Sequence, residues 1–193
     1  MSILNLFPWT RIFGMRDNFE GGYFEKEGEL VAKYLNNPED VLVCGSGNGR
    51  EARPIIHRAK RIVCFDFGLG YLLSGKKLCE AEGIKNVFFV LADIMQLPFP
   101  SASFDFIFFS IYSALKDSRF EVINDLHRIL KKDGFVLLTC YMPSFPKAKK
   151  YNFTTFENVS EIEKEMNKLG FTVIEAGQDR KRSHYLFSIL TSG

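Results

Sequence analysis

The chain has 193 residues, 46% hydrophobic and 25% charged, with 25 Lys and Arg set against 23 Asp and Glu. That is enough for one ordinary domain, too short for two full cores, and too apolar for a disordered segment. A formal charge of +2 speaks against a strongly electrostatic nucleic-acid binder without excluding one. No apolar run approaches the ~18 residues of a membrane span.

In chain order, residues 1–36 read as a cap on a core formed by residues 37–193. The cap is rich in aromatics (Phe7, Trp9, Phe13, Phe19, Tyr23, Phe24), with Gly21-Gly22 as a hinge. Two expectations attach to residues 4–24: a lid that excludes water from a site at the strand ends, or a segment packed on the sheet edge. Pro8, Arg11, Arg16 and Asp17 interrupt its apolar residues, unlike the plan of a signal peptide. From Asp40 to Tyr141 short apolar runs alternate with helical patterns, as in parallel β-α-β units.

The first strand is expected over 41–44, ending at Gly45, Gly47 and Gly49. A helix carrying Ala52, Ile55, Ile56 and Ala59 should follow, with Pro54 near its first turn. A second strand spans 61–67, a helix 71–82 and a third strand 86–92. The fourth covers 104–109, and a helix over 118–130 presents Val122, Leu126, Ile129 and Leu130 on one face. Lys132-Asp133-Gly134 should turn the chain into a fifth strand over 135–140. A loop with Pro143 and Pro146 leads to a helix over 159–169. Strands over 171–176 and 185–190, joined by a polar turn over 178–183, are close enough to pair antiparallel. The fold expected is α/β: a doubly wound, seven-stranded, mostly parallel sheet with a C-terminal antiparallel hairpin. Most of the 20 Phe should be core. Cys44, Cys64, Cys79 and Cys140 form no C-x-x-C pair, so a reduced cytoplasmic protein without a structural metal is the simplest reading.

Three features point to chemistry. The run Val41-Leu42-Val43-Cys44-Gly45-Ser46-Gly47-Asn48-Gly49-Arg50-Glu51 takes a buried strand through a glycine turn into a helix, where a ligand can approach backbone N–H groups. Glycine also serves tight turns everywhere. The third glycine comes one residue too early for the G-x-G-x-x-G dinucleotide pattern, which favours a nucleoside without phosphates. Asp66, closing the second strand, either accepts both ribose hydroxyls, caps a helix or is a solvated acid. Asp93, closing the third, either reads an adenine edge or starts a turn.

This ordered series resembles the class I S-adenosylmethionine-dependent methyltransferases. Their glycine motif is matched by residues 41–51 and their post-strand acid by Asp66. Their third motif resembles Leu91-Ala92-Asp93-Ile94-Met95-Gln96-Leu97-Pro98-Phe99 and continues through Ser103-Phe104-Asp105-Phe106-Ile107. A late helix-strand motif resembles residues 124–135, from Asn124-Asp125-Leu126-His127 to Asp133-Gly134-Phe135. The resemblance implies S-adenosyl-L-methionine as cofactor. It would set Gly45, Ser46 and Gly47 against the methionine portion and Asp66 on the ribose. Phe67 would cover an adenine face, Asp93 and Ile94 would meet its edge, and Ser110 would face the sulfonium and the acceptor. One departure stands out: the family usually carries an acid where this chain has Val43, and Ser46 replaces a commoner cysteine or alanine. The cofactor's ammonium thereby loses a partner, which Glu51 or a backbone carbonyl would have to replace.

Methyl transfer from a sulfonium needs no nucleophile or metal, and a base only if the acceptor must lose a proton. Tyr112, Asp117, Tyr141 and His184 are the candidate bases or positioning groups. Each has an ordinary role as wall, helix cap or strand residue. His57 and His127 are expected on helices away from the mouth. Lys147, Lys149 and Lys150, interleaved with Tyr141, Phe145, Tyr151 and Phe153, fit either an anionic, flat or single-stranded acceptor or a solvated loop. In enzymes of the family it resembles, Asn-Pro-Pro-Tyr after the fourth strand marks amino-group methylation of bases or protein side chains; this chain lacks it, so the resemblance implies a small-molecule acceptor. The competing readings are a non-catalytic binding protein on the same fold and a nicotinamide oxidoreductase.

Overall fold

The computed structural model describes residues 25–36, 40–111, 119–151, 154–178 and 185–192. Five apolar runs form parallel strands: β1 (Asp40–Cys44), β2 (Arg61–Asp66), β3 (Val87–Leu91), β4 (Phe104–Ser110) and β5 (Leu130–Tyr141). β6 (Phe171–Gln178) and β7 (Tyr185–Ser192) complete one seven-stranded sheet of order β3-β2-β1-β4-β5-β7-β6. β7 runs antiparallel to both β5 and β6, so the expected hairpin is present and its second strand lies inside the first. Among the described residues five helices accompany the sheet: α1 (Glu25–Tyr34), α2 (Leu69–Ala81), α3 (Arg119–Ile129), the short α4 (Pro146–Tyr151) and α5 (Val159–Lys168).

Alternation along the strands builds two cores. Val41, Val43, Ile62, Cys64, Phe106 and Phe108 face one side, with Leu30 and Val31 of α1, Leu35 and Cys79 of α2. Leu42, Cys44, Val63, Phe65, Ile107 and Phe109 face the other, with Val122, Ile123, Leu126 and Ile129 of α3 and Ile162 and Met166 of α5. Strands covered on both faces must be apolar at every position, which is why they read as runs rather than alternations. Each fully buried large side chain contributes about 1.5–3 kcal/mol. Phe65, Phe104, Phe106, Phe108 and Phe109 do so, whereas Phe67, Phe88 and Phe120 are exposed. All four cysteines are buried and unpaired by disulfides, Cys79 on a helix and the others on strands. Among the described residues no helix is long and apolar enough to cross a membrane.

Two local expectations are corrected. The segment after the glycine turn is no α-helix: it is a chain of turns around one 3₁₀ turn, Arg53–Ile55. Its bonds run mostly three residues back, as from Ile55 N to Ala52 O (3.1 Å) and Arg58 N to Ile55 O (2.9 Å). Pro54 has no N–H for a four-residue bond, and its ring crowds the preceding turn. The second correction concerns the turn at Lys132-Asp133-Gly134, which is absorbed into β5. Asp133 takes a positive φ of 62° there, and the register slips between Phe104↔Leu130 and Phe106↔Phe135.

Candidate active site

The chain runs outward through β1, β2 and β3, then returns to place β4 on the opposite flank of β1. The carboxyl ends of β1 and β4 therefore part at a topological switch point, where open α/β sheets take their ligands. Gly45 begins the loop there at φ 64°, and a Cβ added to it would meet no atom within 4 Å. The backbone alone demands glycine at this point, and open space lies over it.

The loop is tied to β2. Ser46 N donates to Phe65 O (3.0 Å) and Gly47 N donates to Asp66 Oδ2 (2.9 Å). Asp66 Oδ1 accepts from Gly68 N (2.8 Å), just ahead of α2. With 7% of its surface exposed, Asp66 is neither a solvated acid nor a simple cap; it clamps the glycine loop to the start of α2. Burial pushes its carboxyl up from the usual value, opposed by the backbone donors of Gly68, Gly47 and Phe67. A carboxylate offers about four lone-pair sites, so these bonds leave room for further donors. Gly75 of α2 keeps the loop close from beneath: a Cβ on it would stand 2.5 Å from Asn48 O.

Beyond β3, Ala92 N donates to Asp66 O (3.2 Å), which ties the third tip to the second. Asp93 is exposed and starts a turn, its Oδ1 accepting from Met95 N (2.9 Å). Ile94 is half-buried against the core, and Phe67 is 55% exposed. Gly47, Asp66 and Asp93 thus lie on adjacent tips in the order the sheet dictates. Tyr71, near the start of α2, has its hydroxyl buried without a hydrogen-bond partner among the described residues.

On the other side of Gly45 a small pocket of about 40 Å³, partly open to solvent, lies over the ends of β1, β4 and β5. Val43, Phe108, Phe109 and Leu137 make it apolar; Ser110, Thr139, Glu27 and Glu51 make it polar. Ser110 Oγ and Thr139 Oγ1 share a hydrogen bond of 2.7 Å. Glu27 comes from α1 and is 4% exposed. Arg50 lies 3.7 Å from Glu27 and is hydrogen-bonded to Glu51. Glu27, Tyr71, Gly75 and Thr139 were not singled out from sequence. Glu27 carried a signal all the same: an acid three and four residues ahead of Leu30 and Val31 stands on the apolar stripe of its helix.

Tyr141 closes β5 and stacks on Phe145 (ring centroids 4.2 Å apart, 11° between planes). His127 packs edge-on against Phe171 at 4.9 Å, a structural role. His57 is exposed, on the turns rather than on a helix. Tyr112, Asp117, His184, Phe153 and residues 1–24 lie outside the described residues, as do the side chains of Lys147, Lys150 and Tyr151. Among the described residues no three His, Cys, Asp or Glu gather to hold a metal.

A doubly wound sheet of this order, with an antiparallel strand inserted at its end and an open glycine loop at the switch point, is the Rossmann-like methyltransferase fold. A family model described as methyltransferase domain matches residues 41–134. The ubiquinone/menaquinone biosynthesis C-methyltransferase UbiE of Coxiella burnetii is 27% identical over 117 residues, covering 58% of this chain and 47% of the relative. The matched stretch thus spans about half the length of that curated relative. Among solved structures, an S-adenosylmethionine-dependent methyltransferase of Aquifex aeolicus superposes with a TM-score of 0.76 at 16% identity, over 97% of this chain and 100% of that one. The [4+2]-cyclase SpnF superposes with a TM-score of 0.77 at 14% identity, over 95% and 90%. At such identities the likeness shows the fold alone. Residues 41–134 thus match a methyltransferase domain, and the fold is one that solved S-adenosylmethionine-dependent methyltransferases share.

Proposed function

We propose that this protein transfers the methyl group of S-adenosylmethionine to a small organic acceptor. The observation that carries the reading is the joining of three strand tips by Gly47 N to Asp66 Oδ2 (2.9 Å) and Ala92 N to Asp66 O (3.2 Å). The residues present fit the cofactor. Asp66 is a buried carboxylate with acceptor capacity to spare, and the space over Gly45 admits a ligand against the backbone. In this reading Asp66 holds the ribose hydroxyls, Phe67 covers an adenine face, and Asp93 and Ile94 meet the adenine edge. Gly45, Ser46 and Gly47 follow the amino-acid portion.

The bound cofactor supplies a sulfonium-borne methyl group with a neutral leaving group, so the protein's task is alignment at about 3–3.5 Å. Ser110 and Thr139, hydrogen-bonded to each other, line the pocket where they can orient an acceptor. Val43, Phe108, Phe109 and Leu137 give the same pocket an apolar wall. A small acceptor is also in keeping with the Coxiella burnetii relative, a C-methyltransferase of ubiquinone/menaquinone biosynthesis.

Isothermal titration tests the reading: S-adenosylhomocysteine should bind with 1:1 stoichiometry and NADH should not displace it. No heat at high micromolar S-adenosylhomocysteine would overturn it. A second reading, a binding protein that does not transfer methyl groups, is favoured by one observation: Val43 is 1% exposed where the family usually carries an acid. Label from the cofactor's methyl group appearing in any acceptor would exclude it.

A further inference from the structure

We infer that the outer edge of β3 pairs antiparallel with β3 of a second copy of this chain, joining two sheets across a two-fold axis.

The two edges of the sheet differ. β6 is guarded: its register slips between Val173 and Glu175, and Glu175 Oε2 accepts from Lys33 Nζ (2.7 Å) and Tyr34 Oη (2.9 Å) of α1. A bulge and an adjoining charged helix both discourage pairing at an edge. β3 has neither. Its register with β2 runs unbroken from Ile62↔Val87 to Asp66↔Leu91, and residues 86–92 contain no charge and no proline. Phe88 is 49% exposed and Leu91 57%. Among the described residues no strand pairs with the outer side of β3. Such an edge is a template for another strand.

The backbone and the flanking charges select one register. Asn86 O accepts from Ile62 N (2.8 Å) and Ala92 N donates to Asp66 O (3.2 Å), so the even-numbered positions face β2. Val87, Phe89 and Leu91 therefore turn N–H and C=O outward. A two-fold axis at Phe89 sets Val87 against the partner's Leu91, and Phe89 against the partner's Phe89. Each of these pairs then exchanges both its bonds, about six in all. The same register brings exposed Lys85 opposite the partner's Asp93, also exposed, once at each end. Opposite charges across an antiparallel pair favour this alignment; a slip of two residues would set Lys85 against the partner's Leu91 instead. Asp93 is bonded at Oδ1 to Met95 N, and a carboxylate so bonded has lone pairs left for a lysine. An edge of this length is small beside the ~1,600 Å² of a standard interface, so the dimer should be weak, with a micromolar Kd.

Sedimentation velocity over a concentration series tests the pairing. The wild type should move from the 22.1 kDa chain toward twice that mass at tens to hundreds of micromolar. Leu91→Lys installs on β3 the charge that edges use against pairing, and should weaken association about tenfold or more. Lys85→Glu sets like charges together and should weaken it about fivefold, less at high salt. Ile174→Lys on β6, at a side chain already 47% exposed, should leave it unchanged. A wild type that stays monomeric throughout would overturn the inference, whether or not residues 1–24 cover the edge. So would a dimer that Leu91→Lys and Lys85→Glu leave intact, or one that Ile174→Lys breaks. If Leu91→Lys fails to fold, Lys85→Glu decides together with amide exchange of the wild type. Association should slow exchange at Val87, Phe89 and Leu91, and unchanged rates there would contradict the pairing.

Discussion

Replacing Gly45 by alanine separates a cost of folding from a cost of binding, because the molecule contains a matched control. Gly45 has φ 64° and Gly83, beyond the C-terminal end of α2, has φ 70°; at either, an added Cβ meets nothing within 4 Å. Neither substitution creates a clash, so each bears only the left-handed backbone penalty of about 1–2 kcal/mol. The unfolded chain also loses freedom, which returns about 0.4–1 kcal/mol. The net loss should be about 1 kcal/mol for both variants, or roughly 2–4 °C in Tm for a chain of this size. Urea unfolding should give the two equal stabilities within about 0.5 kcal/mol. Titration with S-adenosylhomocysteine should then divide them. The methyl of Gly45→Ala stands in the pocket and should weaken binding about tenfold or more, about 1.4 kcal/mol. Gly83→Ala should bind as the wild type does. Equal affinity of the two variants would refute the placement of a ligand over Gly45.

Three further outcomes follow from the same geometry. Gly75→Ala would set a Cβ 2.5 Å from Asn48 O and 2.5 Å from the Phe89 ring. It should cost about 1–3 kcal/mol in urea unfolding, and a loss below a few tenths would show that α2 yields there. Tyr71→Phe removes a buried hydroxyl with no partner among the described residues, so stability should hold or rise by up to about 1 kcal/mol. A fall larger than that would mean the hydroxyl has a partner. Burial raises the Asp66 carboxyl, so the folded chain keeps its proton to higher pH than the unfolded chain. Its contribution to stability is therefore largest in acid and falls as pH rises from the ordinary aspartate value of ~3.9 through the raised one. Carbon-13 NMR titration of Asp66 should give a midpoint above ~3.9; a lower midpoint would mean that the backbone donors outweigh burial.

The sheet was legible because strands covered on both faces leave an unmistakable trace, continuous apolar runs ending in Gly45, Asp66 and Asp93. The same residues mark the candidate site, because the sheet order sets those three run ends on adjacent strand tips. Pro54 is tolerable near the first turn of an α-helix, yet its missing N–H diverts the local bonds to 3₁₀ spacing. Lys132-Asp133-Gly134 has the composition of a turn, and β4 pairing on both sides of it draws it into one irregular strand. Thr139 resembles any polar residue in a strand until the register sets it opposite Ser110. Glu27 enters the pocket only through the packing of α1 on the sheet, a contact across 16 residues from Val43 that no local motif records.

A crystal structure of the protein with S-adenosylhomocysteine tests the central assignment most directly. It should place the ribose hydroxyls on Asp66, the adenine between Phe67 and Ile94, and the amino-acid end over Gly45. Adenosine lodged at another edge of the sheet, with Asp66 bonded only to Gly47 and Gly68, would contradict the account.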